Sequence, residues 1–262
     1  MTATTLMMGG LAALFLTLPF AVMVFLKKRG GSWLDFFVGA GIFFLFAMVA
    51  ESAMHNVVLL RTPLGAMLQS NIWLYGLYGG LAAGIFEETG RRVAFRFILR
   101  KHRTRVTALG YGIGHGGCEA ALLLSVTYIS NLVLLSMANS GELMTMAGAG
   151  GARPQELLAA VEQLRAIPAA TFLWAGFERI SAMALHMALS VLVFASETQP
   201  GKRGLFFAAV LMHAAVDFCA VVSNAFFPII VTELLAAALA ALAVWYAAGV
   251  YKKLPETLGK PE

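Results

Sequence analysis

Long apolar blocks are the feature that most limits how this chain can fold. Seven blocks each approach or exceed the roughly 20 residues that a helix needs to cross the hydrocarbon core of a bilayer. Lipid offers no hydrogen-bond partners to the backbone, so blocks of this kind form helices that satisfy their own backbone groups. The blocks span residues 6–26, 33–54, 72–95, 107–134, 168–195, 205–224 and 228–251. The sequence therefore predicts an all-α, polytopic transmembrane helix bundle with about seven spans.

Basic residues are concentrated in alternate loops between these blocks. One set of loops and the carboxyl-terminal tail carry 15 Lys and Arg residues, whereas the other loops hold only Arg61, Arg153 and Arg165. The positive-inside rule then places the N-terminus outside and the C-terminus in the cytoplasm. The net charge of +5 is explained by this topology, so we expect no nucleic-acid partner. The 15 residues are Lys27, Lys28, Arg29, Arg91, Arg92, Arg96, Arg100, Lys101, Arg103, Arg105, Lys202, Arg203, Lys252, Lys253 and Lys260.

The chain is expected to form one transmembrane domain over residues 1–262. No basic residue precedes the first block, so we interpret that block as an anchor and not as a cleaved signal peptide. The longest connection, residues 138–167, should face outside. Its apolar Leu157, Leu158, Val161 and Leu164 have helical spacing, which fits either a short interfacial helix or a simple spacer.

The third block contains two adjacent carboxylates followed by arginines. Ionisable residues inside a membrane are costly, and they usually serve a pathway, a partner or a reaction. On a helix, Arg91 lies within reach of both Glu87 and Glu88, and it can pair with one of them. The other carboxylate is then free to act as a general base. The alternative is a purely structural acidic cap beside a basic loop.

Histidines lie at similar depths in the next three blocks. At 1.5 Å of rise per residue, His115 and His213 lie about 12 Å from the cytoplasmic ends of their blocks, and His186 about 15 Å. Glu87 lies about 13 Å deep by the same measure. This common depth predicts one polar cavity in the cytoplasmic half of the membrane, entered from the cytoplasm. Structural hydrogen bonds between helices are the alternative use of these side chains.

These residues resemble the motifs of the glutamic intramembrane proteases. That superfamily includes type II CAAX prenyl endopeptidases, bacterial CPBP proteins, PrsW-like proteases and the APH subunit of gamma-secretase. The YhfC branch is the most similar. The motifs that carry the resemblance are Glu87-Glu88-x-Gly90-Arg91, Gly114-His115-Gly116-Gly117-x-Glu119, Glu178-Arg179 with His186-x-Ala188-Leu189-Ser190, and His213-Ala214-x-x-Asp217. It implies an integral protein of the bacterial plasma membrane.

The resemblance also implies roles for individual residues. Glu87 would activate water as the base, His115 would hold that water, and His213 with Asp217 would line the oxyanion side. Asp217 stands where CAAX proteases have Asn, so it would have to be protonated or else orient His213. The catalytic residues expected are Glu87, Glu88, His115, His213 and Asp217. Arg91, Glu119 and His186 are expected to support them.

The sequence leaves several functions open. The first is an intramembrane endopeptidase that needs no cofactor and acts on a membrane-embedded or membrane-proximal peptide, with lipid as its other partner. The second is a zinc-dependent intramembrane protease that uses Glu87, His115, His186 and His213 as ligands, although the chain has no His-Glu-x-x-His motif. The others are a non-catalytic membrane scaffold and a proton-coupled transporter.

Overall fold

The protein is nearly all helical. The computed structural model describes residues 3–102, 104–148 and 152–257, and no strand occurs in these ranges. Arg103 and Lys260, which contribute to the predicted topology, lie outside the described residues. The helices are α1 Ala3–Lys27, α2 Trp33–Arg61, α3 Pro63–Gln69, α4 Ile72–Val93, α5 Arg105–Asn139, α6 Glu142–Gly148, α7 Ala152–Ala166, α8 Ala169–Thr198, α9 Gly204–Phe226 and α10 Ile229–Lys253.

Six helices of the described ranges are long and apolar enough to cross a bilayer, namely α1, α2, α5, α8, α9 and α10. The third predicted span corresponds to α4, which has 22 residues but carries two carboxylates and two arginines near its end. The all-α membrane bundle is therefore confirmed, whereas the count of seven spans stays a prediction. The helix that composition alone does not mark as a span is the one that carries Glu87 and Glu88.

Three π-helical segments interrupt or extend the long helices. Phe44–Glu51 lies within α2, Ala121–Val126 lies within α5, and Ala94–Ile98 continues α4. A π-helical turn shifts the register of the side chains that follow it, and such turns are frequent near functional sites. Here they occur in three helices that surround or supply the buried polar residues.

Glycines bring the helix backbones into close contact. A Cβ atom at Gly84 of α4 would lie 2.7 Å from the carbonyl oxygen of Val210 in α9. One at Gly112 of α5 would lie 2.6 Å from the Cα atom of Met187 in α8. Small residues allow this approach between membrane helices. Gly112 thus lets the glycine-rich start of the fourth block pack closely against α8.

The basic loops gather at one end of the bundle, which we call the basic end. Arg105, at the start of α5, forms an ion pair of 3.0 Å with Glu256, which follows α10. At the opposite end, the connection over residues 138–167 contains α7. Val161 and Leu164 of α7 are buried in a cluster with Leu135 and Phe172. The apolar side of α7 therefore covers the end of the bundle.

Candidate metal centre

Four helices contribute polar side chains to one buried cluster. Glu87 and Glu88 come from α4, His115 from α5, His186 from α8 and His213 from α9. Glu87 is 7% exposed, and the other four are 3% exposed or less. The side chains that were expected to share a depth therefore do meet, although α4 and α5 are separated in the sequence from α8 and α9.

Glu87 lies at the centre of the three histidines. Its Oε2 atom is 2.8 Å from Nε2 of His115, 3.9 Å from Nδ1 of His186 and 4.0 Å from Nε2 of His213. The imidazole rings of His115 and His186 have centroids 4.7 Å apart, and those of His186 and His213 are 5.3 Å apart. One carboxylate oxygen thus faces three imidazole nitrogens.

A second layer of charged groups orients the histidine rings. Nδ1 of His213 donates to Oε1 of Glu88 at 2.9 Å, and Nε2 of His186 lies 2.5 Å from Oε2 of Glu119. Arg91 donates to Nδ1 of His186 at 3.1 Å and pairs with Glu88 at 3.4 Å. An arginine can only donate, so Nδ1 of His186 is the acceptor and its Nε2 carries the proton. Carboxylates placed behind histidines in this way are typical of metal sites.

The cluster has the donor atoms of a metal site. Glu87, His115 and His186 each offer one ligand atom, and these atoms all lie within 4.8 Å of one another. Tetrahedral zinc with ligands at about 2.0–2.1 Å would need its donors about 3.4 Å apart. Glu87 and His115, at 2.8 Å, would therefore move apart, and Glu87 and His186, at 3.9 Å, would move together, each by about half an ångström. Two histidines and one carboxylate are a known ligand set of catalytic zinc. His213, the fourth ligand considered from the sequence, lies outside this group of three.

The surroundings of His115 show whether its ring can bind a cation. Its Nδ1 atom is buried and has no hydrogen-bond partner among the described residues. When Nε2 binds a cation, the ring proton has to reside on Nδ1, so the cation would replace the hydrogen bond of 2.8 Å between Nε2 and Glu87. For His186, binding through Nδ1 replaces the hydrogen bond from Arg91, which keeps its other bond to the His186 carbonyl at 3.2 Å. The residues present therefore fit a divalent cation.

A chain of ion pairs extends from the cluster. Arg179 donates to Glu119 at 2.6 Å and to both carboxylate oxygens of Glu178. Glu178 and Arg179 are adjacent in the sequence and form an ion pair. In the structure this pair is connected through Glu119 to His186, and so it helps to hold the ring.

A cavity of about 130 Å³ reaches the cluster between α8, α9 and α10. The residues that line its inner end include Glu87, His186, His213 and Asp217. Those that line its outer end include Glu178, Thr232 and Glu233. Nε2 of His213 is 3.5 Å from Oδ2 of Asp217, whose side chain is 35% exposed. The cavity extends toward the end where α9 finishes and α10 begins, which is opposite the basic end.

Aromatic packing closes the cluster toward the basic end. The ring of Phe95 is 4.8 Å from that of Tyr111 and 5.2 Å from that of Phe194, measured between centroids, and all three residues are buried. A second cavity of about 840 Å³ at the basic end has Phe95 and Phe194 in its lining and none of the cluster residues. The expected access from the cytoplasm, which the basic end would face, therefore differs from the cavity that the structure shows.

Two residues of this region, Thr232 and Glu233, were not predicted from the sequence. Glu233 is the only acidic residue between Ile229 and Lys253, so an isolated charge within an apolar span was the available signal. Two of the five histidines lie elsewhere: His55 pairs with Glu51 at 3.1 Å, and His102 pairs with Asp35 at 2.8 Å.

Comparison with known proteins agrees with this description. Residues 14–249 match the family described as YhfC intramembrane metalloprotease. The chain is 38% identical over 212 residues to the uncharacterized membrane protein YhfC of Bacillus subtilis (strain 168). The aligned region covers 80% of this chain and 81% of that protein. No solved structure matches the chain. The wider grouping with the glutamic and CPBP proteases stays a prediction. Both matches, together with the helical bundle, lead to the conclusion that this chain is an integral membrane protein of the YhfC family.

Proposed function

We propose that the protein is a zinc-dependent intramembrane protease that hydrolyses a peptide bond of a membrane-embedded or membrane-proximal substrate. The observation that carries this proposal is the convergence of Glu87, His115 and His186, whose ligand atoms lie within 4.8 Å of one another in a buried site. The family description, which names a metalloprotease, supports the same conclusion.

The ligand set explains what a metal would contribute. A zinc ion held by Glu87, His115 and His186 would supply Lewis acidity, which polarises a substrate carbonyl and lowers the pKa of water. Glu119 would keep the ring of His186 in place, since its Oε2 atom lies 2.5 Å from Nε2. The burial of these residues excludes bulk water, and a dry site strengthens every electrostatic interaction within it.

His213 and Asp217 are the side chains placed to handle protons. Both line the cavity, with Asp217 partly exposed and 3.5 Å from Nε2 of His213. Asp217 would accept a proton from the attacking water and return it to the departing amine. Glu88 holds His213 through Nδ1, so Nε2 points toward Glu87 and the reacting groups. This assignment gives Asp217 a use that an asparagine at the same position could not have.

A metal-free protease is the second candidate, and one contact favours it. Glu87 accepts a hydrogen bond of 2.8 Å from Nε2 of His115, so the two residues pair directly without a metal, and a water beside the pair would give its proton to Glu87 as the base. In this version His213 would stabilise the oxyanion. The two candidates share residues but differ in the role of Glu87, which is a ligand in one and a base in the other.

Metal content and proteolysis of the purified protein test the proposal. We expect about one zinc ion per chain in the wild type, and its loss in His115→Ala and His186→Ala. His102→Ala is the matched control, because His102 is paired with Asp35 outside the cluster. Cleavage of a panel of fluorogenic single-span peptides should stop with a chelator and return with added zinc.

The outcomes separate the alternatives. Active protein without zinc, insensitive to chelators, would favour the metal-free mechanism. Zinc-loaded protein that cleaves no peptide of the panel, together with uptake of a solute into proteoliposomes, would favour transport. Stoichiometric zinc that survives both cluster substitutions would show that the metal lies elsewhere.

A further inference from the structure

Glu233 is a buried carboxylate for which the protein supplies no complete set of partners. It lies in α10, one turn after the helix begins, and only 7% of its surface is exposed. Its Oε2 atom is buried without a hydrogen-bond partner among the described residues, and the same holds for the hydroxyl of the adjacent Thr232. A carboxylate in this position is costly unless something else pairs with it.

Both residues line the cavity that reaches the candidate metal centre. The lining has a strong excess of negative groups, with Arg179 as its one basic residue apart from histidines among the described lining residues. Arg179 is already paired with Glu119 and Glu178. The acidic lining residues are Glu87, Glu119, Glu178, Asp217 and Glu233. A cleft lined by one sign of charge concentrates ions of the other sign and speeds their arrival.

The size of the cavity limits what can pass through it. A cavity needs about 10–15 Å³ to hold one water, so a volume of about 130 Å³ admits a metal ion with several waters but no folded peptide segment. Access from the basic end is obstructed by the packed rings of Phe95, Tyr111 and Phe194.

We propose that Glu233 and Thr232 form the entrance through which a divalent cation reaches Glu87, His115 and His186 from the end of the bundle opposite the basic loops. The carboxylate attracts the ion, and the two side chains replace some of the waters that it sheds. The ion then moves past Asp217 to the histidines. Glu233 acts on the passage of the ion and is not one of its final ligands. This inference rests on the proposed metal site.

The rate of zinc uptake tests the role of Glu233. Metal-free protein in nanodiscs is mixed with zinc chloride in a stopped-flow instrument, and binding is followed by competition with a fluorescent chelator. Glu233→Gln keeps the shape but removes the charge, and we expect zinc association to slow about tenfold. Because an entrance affects both directions, dissociation should slow in parallel and leave the equilibrium dissociation constant unchanged.

Glu197→Gln is the matched control. Glu197 is also a largely buried carboxylate, but it pairs with Arg92 and lines the cavity at the basic end. Its replacement should leave zinc association as fast as in the wild type. A slower rate in Glu197→Gln but not in Glu233→Gln would overturn the proposal by placing access at the basic end.

A second variant narrows the route without changing its charge. Ala236 lines the cavity one turn beyond Thr232, and Ala236→Leu should also slow association and dissociation. Equal zinc association rates in the wild type, Glu233→Gln and Ala236→Leu would overturn the proposed entrance. They would not contradict the proposed metal site. If Glu233→Gln binds zinc more weakly at equilibrium but associates with it at the wild-type rate, Glu233 is a ligand. That result would also overturn the proposed entrance. Absence of zinc binding by the wild type would instead refute the proposed function.

Discussion

Glu87 and Glu88 are adjacent in the sequence and similarly buried, yet their contacts give them different chemistry. Glu88 pairs with Arg91 and accepts a hydrogen bond from His213. Glu87 has no arginine of the described residues within ion-pairing distance, and it faces the histidines. The sequence indicated that one of the two carboxylates would pair with Arg91, and the structure identifies Glu88 as that residue. Glu87 therefore remains available for a cation or a proton.

Replacing Glu88 tests its structural importance. Glu88→Gln leaves the fully buried Arg91 without its counter-charge, and breaking a buried pair in this way costs about 3–5 kcal/mol. We expect a clear loss of stability in thermal unfolding of the detergent-solubilised protein. Glu256→Gln removes an exposed partner of Arg105 and should change stability by less than about 1 kcal/mol. Similar small changes in both variants would contradict the role assigned to Glu88.

Glu119 should affect metal affinity without binding the metal. Glu119→Gln removes the negative charge that lies 2.5 Å from Nε2 of His186, and substitutions behind a metal ligand lower affinity about 10–100-fold. Titration of metal-free protein with zinc measures this change. The matched control is Glu178→Gln, which alters the other carboxylate of Arg179 and should have a much smaller effect on equilibrium affinity. Equal losses in both variants would indicate a general electrostatic effect.

At the level of the helices, α4 and α9 place the two carboxylates beside His213. Their contact is a stripe of glycines at four-residue spacing, Gly76, Gly80 and Gly84. A side chain at Gly80 would clash with the carbonyl oxygen of Ala214, the residue that follows His213. The distance between these backbones therefore controls how far Glu88 is from His213.

Two alanine substitutions in α4 test this dependence. Gly80→Ala should push α9 away, which destabilises the protein by about 1–3 kcal/mol, as overpacking does, and lowers zinc occupancy. Gly79→Ala introduces the same methyl group where nothing lies within 4 Å, so it should be neutral or stabilising by up to about 1 kcal/mol. Thermal unfolding and elemental analysis measure both effects. Tolerance of both substitutions would show that the close contact is not required.

At the scale of the whole molecule, the two ends of the bundle differ in the access that they give to the buried cluster. The basic end is closed above the cluster by aromatic side chains, and the cavity extends toward the other end. If the basic loops face the cytoplasm, as the positive-inside rule predicts, water and cations approach from the extracytoplasmic side. The orientation of the chain therefore decides which compartment supplies the site.

Cysteine labelling tests the orientation. In a background with Cys118 and Cys219 replaced by serine, Ser140→Cys should react with a membrane-impermeant maleimide in intact cells. Glu256→Cys, near the basic end, should react only after the membrane is made permeable. The serine background without added cysteine is the control. The reverse labelling pattern would invert the topology and place the cavity on the cytoplasmic side.

Much of the candidate site was predictable because the bilayer makes charges conspicuous. His115, His186, His213 and Glu87 stand out in apolar blocks, and helical rise gives each a depth without any knowledge of packing. Glu233 was missed because it lies close to the start of its span, where a carboxylate resembles an interfacial residue. Only its burial, and the cavity beside it, distinguish it from such a residue.

The sequence by itself determined that the chain is a helical membrane bundle, where its loops are basic, and which ionisable residues lie within the spans. These properties depend on the cost of placing polar groups in lipid, which each segment faces independently of the others. The tertiary structure alone decided which carboxylate meets which histidine, and at which end the cavity lies. Those depend on the rotation and separation of helices that are remote in sequence, set here by contacts such as Gly80 against Ala214 and Phe95 against Phe194.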